Sequence, residues 1–366
     1  MMRLESVICE LNPIHLGHKL VFDRAAESAD VVCAVMSGSF VQRGEPACFD
    51  KYARAHAALL SGCDLVVELP FPWCASGAES FALGGVSVAA GILSGGLTFG
   101  SESGRLDYIE RLADVKASPE FESAIRETES ESRGLGSAVI FERTLQRLGI
   151  ESMPGANDKL ASDYVRFGVA RDCGMTYRAV ARMSDMRSAA ELRALPFSEC
   201  EPYMPPEAFR LLGEAPRCRD GYAELLFHHA LLYLRDTDDP ILQLAAKKAR
   251  EVVSAKEFMS RLGTKKYTAA RMRRELLFSI CGVQTDMLKF APRYTILLAA
   301  NERGRQYLSE NRRRLQIGVI TKPADYSPSD EVELRLRKSH LIADELYCLI
   351  NGLPIDTFVK RHPEIG

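Results

Sequence analysis

A short apolar run, Ser6-Val7-Ile8-Cys9-Glu10-Leu11, passes directly into Asn12-Pro13-Ile14-His15-Leu16-Gly17-His18, and this junction limits what the chain can fold into more than any other segment. Pro13 fixes its own φ and biases Asn12 away from helical geometry, so a strand must stop there, while Gly17 lets backbone approach a ligand without a Cβ in the way. A buried strand that turns into a helix at such a point is where α/β folds hold nucleotide phosphates. His15 and His18 are three residues apart. They share a face once the helix has begun, near its positive end. An imidazole there can donate a hydrogen bond to a phosphate oxygen as negative charge builds. The junction therefore predicts a chain that splits ATP. Zinc ligation by the pair lacks a third ligand nearby, and no cysteines have metal spacing, so no protein metal site is expected.

The residues that follow alternate strand-like and helical patterns. Strand-like runs are Ser6 to Leu11, Val31 to Met36, Leu65 to Leu69 and Leu97 to Phe99, with helical periodicity over Leu20 to Ser28, Tyr52 to Ser61 and Ala78 to Ala90. The runs are almost continuously apolar, as parallel strands buried on both faces are. The fold class expected is α/β, a doubly wound parallel sheet with ligands at the carboxyl ends of its strands. Residues 101–135 tilt acidic through Glu120, Glu122, Glu127, Glu129 and Glu131, a solvated helical face. A further helix over Asp158 to Asp172, a strand over Thr176 to Val180 and a helix from Ser188 to Leu195 close the sheet domain; Ser188 and Glu191 have capping-box spacing.

After Pro196 the strand pattern disappears. Amphipathic segments at Pro206 to Leu212, Gly221 to Leu234, Pro240 to Arg261, Ala269 to Cys281 and Glu331 to Leu349 predict an all-helical second domain, giving domains of 1–196 and 197–366. Ten cysteines without close pairs, several in apolar runs, fit buried thiols of a reduced protein. With no signal-like start and no membrane-spanning run, a cytoplasmic location without membrane contact is expected. A net charge of −2 argues against a globally basic nucleic-acid binder but leaves room for a local patch.

Later strand ends carry further candidates. Thr98 to Glu102 ends a strand in Gly100, and Asn157 stands before a helix, as contact or as cap. Ser188 can offer its hydroxyl and first-turn N–H groups to a phosphate, and Arg193, leaning back toward the helix start, can add a cation. Between the second and third strands, Ser37 to Pro46 is long enough to wall a second substrate; Asp50 reads as the cap of the next helix. The densest basic segment, Gly263 to Arg274, contains Lys265, Lys266, Arg271 and Arg274 with Tyr267 one turn ahead of Arg271. In the company of an ATP site it reads as an RNA contact, to which Arg312 to Arg314 add charge.

Taken in order, these motifs resemble the bacterial tRNA(Met) cytidine acetate ligase family, a branch of the nucleotidyltransferase superfamily with the H-x-G-H motif. The matching segments are Glu10 to His18, Met36 to Ala47, Asp64 to Pro70, Phe99 to Glu102, Asn157 to Leu160, Ser188 to Arg193 and Thr264 to Arg274, spread from the first strand to about Tyr347. Gln42-Arg43-Gly44-Glu45-Pro46 is more specific than the histidine motif. The resemblance implies a nucleotidyltransferase-like (Rossmann-like) domain that joins acetate to ATP, forming acetyl-adenylate and pyrophosphate. The acetyl group then passes to the wobble cytidine of elongator tRNA(Met), giving N4-acetylcytidine. It places ATP contacts on Val7, Ile8, Cys9, Glu10, Leu11, Asn12, Pro13, Ile14, His15, Leu16, Gly17, His18, Lys19, Leu20, Gly100, Asn157 and Arg182. His15, His18 and Arg193 would then be the catalytic set, with Mg2+ carried by ATP.

The chain departs from the family at Leu11, where an aromatic residue is usual, and at Asp158, where a second Asn is usual. The hairpin before the serine motif is cut to Met183-Ser184-Asp185-Met186-Arg187, and Ser188-Ala189-Ala190 lacks a Thr. Two other functions fit parts of the pattern. A small-molecule adenylyltransferase would keep AMP in its product and has little use for the basic helix; a non-catalytic RNA-binding protein would have kept the fold with a decayed site.

Overall fold

The computed structural model describes residues 2–151, 155–183 and 186–366, so Ser184 and Asp185 of the short hairpin lie outside it. The first half lays down β1 (Leu4–Cys9), α1 (Leu16–Ala26), β2 (Val31–Ser37), a small hairpin of β3 (Phe40–Val41) and β4 (Glu45–Pro46), α2 (Lys51–Leu59), β5 (Leu65–Leu69), α3 (Ala78–Gly91) and β6 (Gly96–Ser101). Helices α4 (Leu106–Ala117), α5 (Pro119–Glu131), α6 (Ser137–Arg147) and α7 (Ala156–Ala170) follow, then β7 (Thr176–Ala181) and α8 (Ala189–Ala194). β1, β2 and β5 are buried along their whole length, as the continuous apolar runs required. The acidic residues of α5 face solvent, as expected.

The sheet runs β5-β2-β1-β6-β7 through this half, every neighbour parallel. β1 lies where the chain's direction of travel reverses: β2 and β5 extend the sheet to one side, β6 and β7 to the other. Such a switch point opens a crevice at the carboxyl ends of the two central strands, here Cys9 and Ser101.

The second half consists largely of helices: α9 (Pro206–Glu214), α10 (Tyr222–Leu232), α11 (Pro240–Arg250), α12 (Ala255–Arg261), α13 (Ala269–Ile280), α14 (Glu302–Asn311), α15 (Glu331–Asn351) and α16 (Thr357–Lys360). The expected helix over Pro240 to Arg261 is two helices, because Ser254 starts α12 by accepting from the Glu257 amide. The expectation that strands end at Pro196, leaving an all-helical second domain, needs correction. β8 (Tyr294–Ala300) returns to the sheet antiparallel to β5, and β9 (Gly318–Ile320) and β10 (Glu364–Ile365) pair with β8. β8 is seven residues long, buried throughout, and lies between helical patterns that mask it. The fold is nonetheless α/β, a mostly parallel sheet followed by a largely helical C-terminal region.

A buried polar cluster joins the two halves. Lys51 Nζ of α2 lies 2.9 Å from Glu68 Oε2 of β5 and 2.7 Å from Asp344 Oδ2 of α15, and His340 Nε2 lies 3.1 Å from Glu68 Oε1. Burial alone would raise Glu68, but the Lys51 ammonium and His340 bring it down to about 2. Glu68, His340 and Asp344 have the spacing of a metal site, yet the place for a cation is taken by the ammonium of Lys51.

Candidate active site

The crevice at the switch point is a cavity of about 380 Å³ lined by Val7 to Asn12, His15, Gly17, His18, Leu20, Gly100, Asn157, Arg182, Ser188 and Arg193. The β1 turn and the α8 segment therefore face one space. They are also bonded: Arg193 Nη1 donates to the Asn12 carbonyl at 2.6 Å.

The histidine turn is built by a reciprocal cap. His15 is the N-cap of α1, and its Nδ1 accepts from the Gly17 amide at 3.0 Å. His18, three residues on, accepts from the His15 amide through its own Nδ1 at 3.3 Å. This is the serine–glutamate capping box rebuilt from two imidazoles, whose ring centroids are 3.9 Å apart. A Cβ on Gly17 would stand 2.8 Å from the His15 ring, so the glycine makes room for the imidazole as well as for a ligand.

Cap geometry fixes the tautomer. With both Nδ1 atoms accepting, the proton of each neutral ring is on Nε2. Burial, with Arg182 adding to it, lowers His15 to about 4; burial and the His15 ring push His18 well below its ordinary value. At neutral pH the pair presents two uncharged N–H donors at the positive end of α1, an arrangement suited to phosphate oxygens.

The far wall is the β3–β4 hairpin loop. Glu10 Oε1 accepts from the Gln42 amide at 2.8 Å, and Asn12 Oδ1 accepts from the Cys48 amide at 2.7 Å, so the strand end and the loop are one unit. Gln42 Nε2 is buried in this wall without a hydrogen-bond partner, a donor that an acceptor on a substrate would satisfy. Behind the wall, the fully buried Arg54 donates to the carbonyls of Glu10, Ser37, Gly38 and Phe49 and so gathers two strand ends and the start of α2. Nothing in the sequence distinguishes Arg54 from a surface arginine of an amphipathic helix.

Other expected residues fall unevenly. Pro13 and Ile14 are buried and do not line the cavity, nor do Leu16 and Lys19, the latter paired with Asp23. Leu11 takes φ +49 and packs into the core. Asn157 lines the cavity but is not the cap of α7; that is Gly155, and the Glu102 carboxylate accepts from the Asn157 and Asp158 amides. The departure at Asp158 is accommodated because its carboxylate accepts from Ser101, Glu102 and Ser103. The capping box at Ser188 is present, and its hydroxyl, expected on a phosphate, donates to Glu191 at 2.6 Å. Arg182 donates to the Met186 carbonyl at 3.1 Å. Phe99, Leu160 and Tyr164 also line the cavity; Phe99 and Leu160 fall within matched segments, but as residues of a strand and a helix all three read as core rather than as ligand contacts.

In the basic segment, Lys265, Lys266 and Arg271 are exposed, with Lys266 and Arg271 over the Tyr267 ring at 5.0 and 5.2 Å. Arg274, expected beside them, is half-buried and donates to the Gln42 carbonyl at 3.1 Å, so it is drawn off that face. Arg273 pairs with Glu45 at 2.8 Å, and Tyr222 of α10 donates to the Gly44 carbonyl at 2.7 Å. Helix α13 is thus docked on the loop that walls the cavity. Gly44, at φ +67, would place a Cβ 2.8 Å from the Arg274 backbone nitrogen, so only glycine permits this approach.

A family model described as HIGH Nucleotidyl Transferase matches residues 2–356. Similar relatives include the tRNA(Met) cytidine acetate ligase of Exiguobacterium sibiricum, 30% identical over 86% of this chain and 88% of its own. That of Caldanaerobacter subterraneus subsp. tengcongensis is 29% identical over 94% of each. Among solved structures, Thermotoga maritima TmcAL bound with alpha-thio ATP superimposes with a TM-score of 0.88 over 100% of this chain and 99% of that one, at 24% identity. The chain belongs to the HIGH nucleotidyltransferase family and, within it, to the tRNA(Met) cytidine acetate ligases.

Proposed function

We propose that this protein activates acetate with ATP and transfers the acetyl group to the wobble cytidine of elongator tRNA(Met), yielding N4-acetylcytidine, in the cytoplasm. The observation that carries the reading is the convergence of the His15–His18 cap and Arg193 on one cavity at the sheet's switch point.

The chemistry follows from that geometry. An acetate oxygen attacks the α-phosphorus of ATP in line, and pyrophosphate leaves with the bonding pair. Negative charge grows on the phosphoryl oxygens, where the Nε2–H groups of His15 and His18 and the Arg193 guanidinium stabilise it without reorganising. No bond to the enzyme is needed. Magnesium arrives on the ATP phosphates, because the described cavity wall offers a single carboxylate, Glu10. The exposed Lys265, Lys266 and Arg271 supply phosphate contacts for tRNA, and Tyr267 a stacking face.

The test is incubation with ATP, labelled acetate and elongator tRNA(Met), followed by mass analysis of the nucleosides. Acetate-dependent pyrophosphate release and N4-acetylcytidine are expected. Retention of the AMP label in a small-molecule product would instead assign the chain as an adenylyltransferase.

A further inference from the structure

Acetyl transfer requires a proton to leave the cytidine amine, and the activation chemistry described above supplies no group to take it. The exocyclic amine of cytosine is a poor nucleophile, so its proton must pass to a base as the new bond forms. The cavity offers few candidates. His15 and His18 each use their one free lone pair, on Nδ1, to accept a backbone amide, which leaves each ring only a protonated Nε2. Arginine and lysine side chains carry no acceptor. The Cys9 thiol and the Tyr164 hydroxyl are both held protonated by burial.

We propose that Glu10 is the general base of the acetyl-transfer step, accepting the N4 proton of the cytidine through the carboxylate oxygen that Gln42 leaves free. It is the sole carboxylate among the described lining residues, and it lies one residue beyond β1 at the switch point. The Gln42 amide donates to Oε1 at 2.8 Å, Arg54 holds the Glu10 carbonyl at 2.7 Å, and the residue lines the cavity. In the step, the N4 lone pair forms a bond to the acetyl carbonyl carbon, the carbon–oxygen bond to phosphate breaks, and AMP leaves with that electron pair. The N4 proton ends on Glu10, from which it returns to solvent on product release.

Opposing electrostatic influences act on Glu10. Burial raises its pKa, while the Gln42 amide and the charges of Arg193, Arg54 and Arg43 restrain the rise; Cys9 and Tyr164, the other titratable groups around it, are neutral. A carboxylate whose pKa is raised by burial is a stronger base than an exposed one.

This inference rests on the acetate ligase reading, and two half-reactions separate them. Absence of acetate-dependent exchange of pyrophosphate into ATP by the wild-type protein would remove the reading itself, and the inference with it. Given exchange, Glu10→Gln, which keeps the acceptor for the Gln42 amide, is expected to slow transfer from enzyme-bound acetyl-adenylate to tRNA about 10²-fold or more relative to adenylate formation, so that acetyl-adenylate accumulates. Single-turnover transfer by the wild type is expected to rise with pH with unit slope and level off above a carboxylate pKa; this needs no variant. Equal loss of both half-reactions in Glu10→Gln, transfer within about threefold of wild type, or a flat wild-type pH profile would each overturn the assignment.

Discussion

Arg193 and Asn12, 181 positions apart, are joined by a 2.6 Å hydrogen bond from guanidinium to carbonyl, which fixes the distance between the α8 segment and the histidine turn. Asn12 is in turn fastened to the Cys48 amide, so one residue couples the cation, the imidazole pair and the hairpin loop.

Replacing Arg193 removes both a cation and a brace. Arg193→Ala is expected to lower acetate-dependent pyrophosphate exchange by about 10² to 10³-fold, the usual loss for one donor to a developing oxyanion. Arg193→Lys should recover only part of it, since a single ammonium cannot bond the Asn12 carbonyl and the ligand in the same planar fork. Exchange rates beside melting temperatures check this; a full-rate alanine variant would remove Arg193 from the chemistry.

His15 has two jobs that can be separated. Asparagine mimics Nδ1 and can keep the cap, but it offers nothing in place of Nε2–H. His15→Asn should therefore melt close to wild type while losing exchange activity. His15→Ala should lose the cap too, at a cost of about 1 kcal/mol. Equal stability of the two variants would show that the cap contributes nothing.

The histidines also set a pH dependence of stability. Both pKa values are depressed in the folded state, His15 to about 4, so between that value and the ordinary 6.5 the unfolded chain binds more protons than the folded one. Stability from this source is complete above 6.5 and is lost as pH falls through the window, with a limiting slope of about 1.4 kcal/mol per pH unit for each ring. Urea unfolding of wild type against His18→Asn across pH 4.5 to 7 should show a shallower slope in the variant.

Lys51 neutralises two buried carboxylates, Glu68 and Asp344. Lys51→Met leaves both without their cation and is expected to destabilise by about 3–5 kcal/mol in urea unfolding. Because Glu68 sits on β5 and Asp344 on α15, loosening should appear in hydrogen exchange at both ends of the chain together.

Much of the sheet could be read directly. β1, β2, β5 and β6 are apolar runs bounded by turns, and burial on both faces is what such runs mean. The histidine turn was legible because Pro13, Gly17 and the two imidazoles each answer a separate steric or bonding demand. β8 was not, since its seven residues match a buried helix turn as well as a strand, and only pairing with β5 decides. Arg54 and the Lys51 cluster were invisible for a different reason. Their partners are backbone carbonyls and residues up to 293 positions away, and no local pattern reports either. Arg274 belongs to the same basic segment as Arg271, three residues away, and composition cannot foresee a loop packing over its side chain.

The antiparallel return of β8 also orders events in time. Until it arrives, β5 is an open edge whose Leu65–Leu69 backbone has no partner on one side, and the ammonium of Lys51 waits for an acid on a helix not yet synthesised. A ribosome-bound chain that has emerged only to Pro196 therefore carries the histidine turn on an unfinished sheet, prone to pairing with a neighbour. Halves expressed separately should therefore need each other to stay in solution.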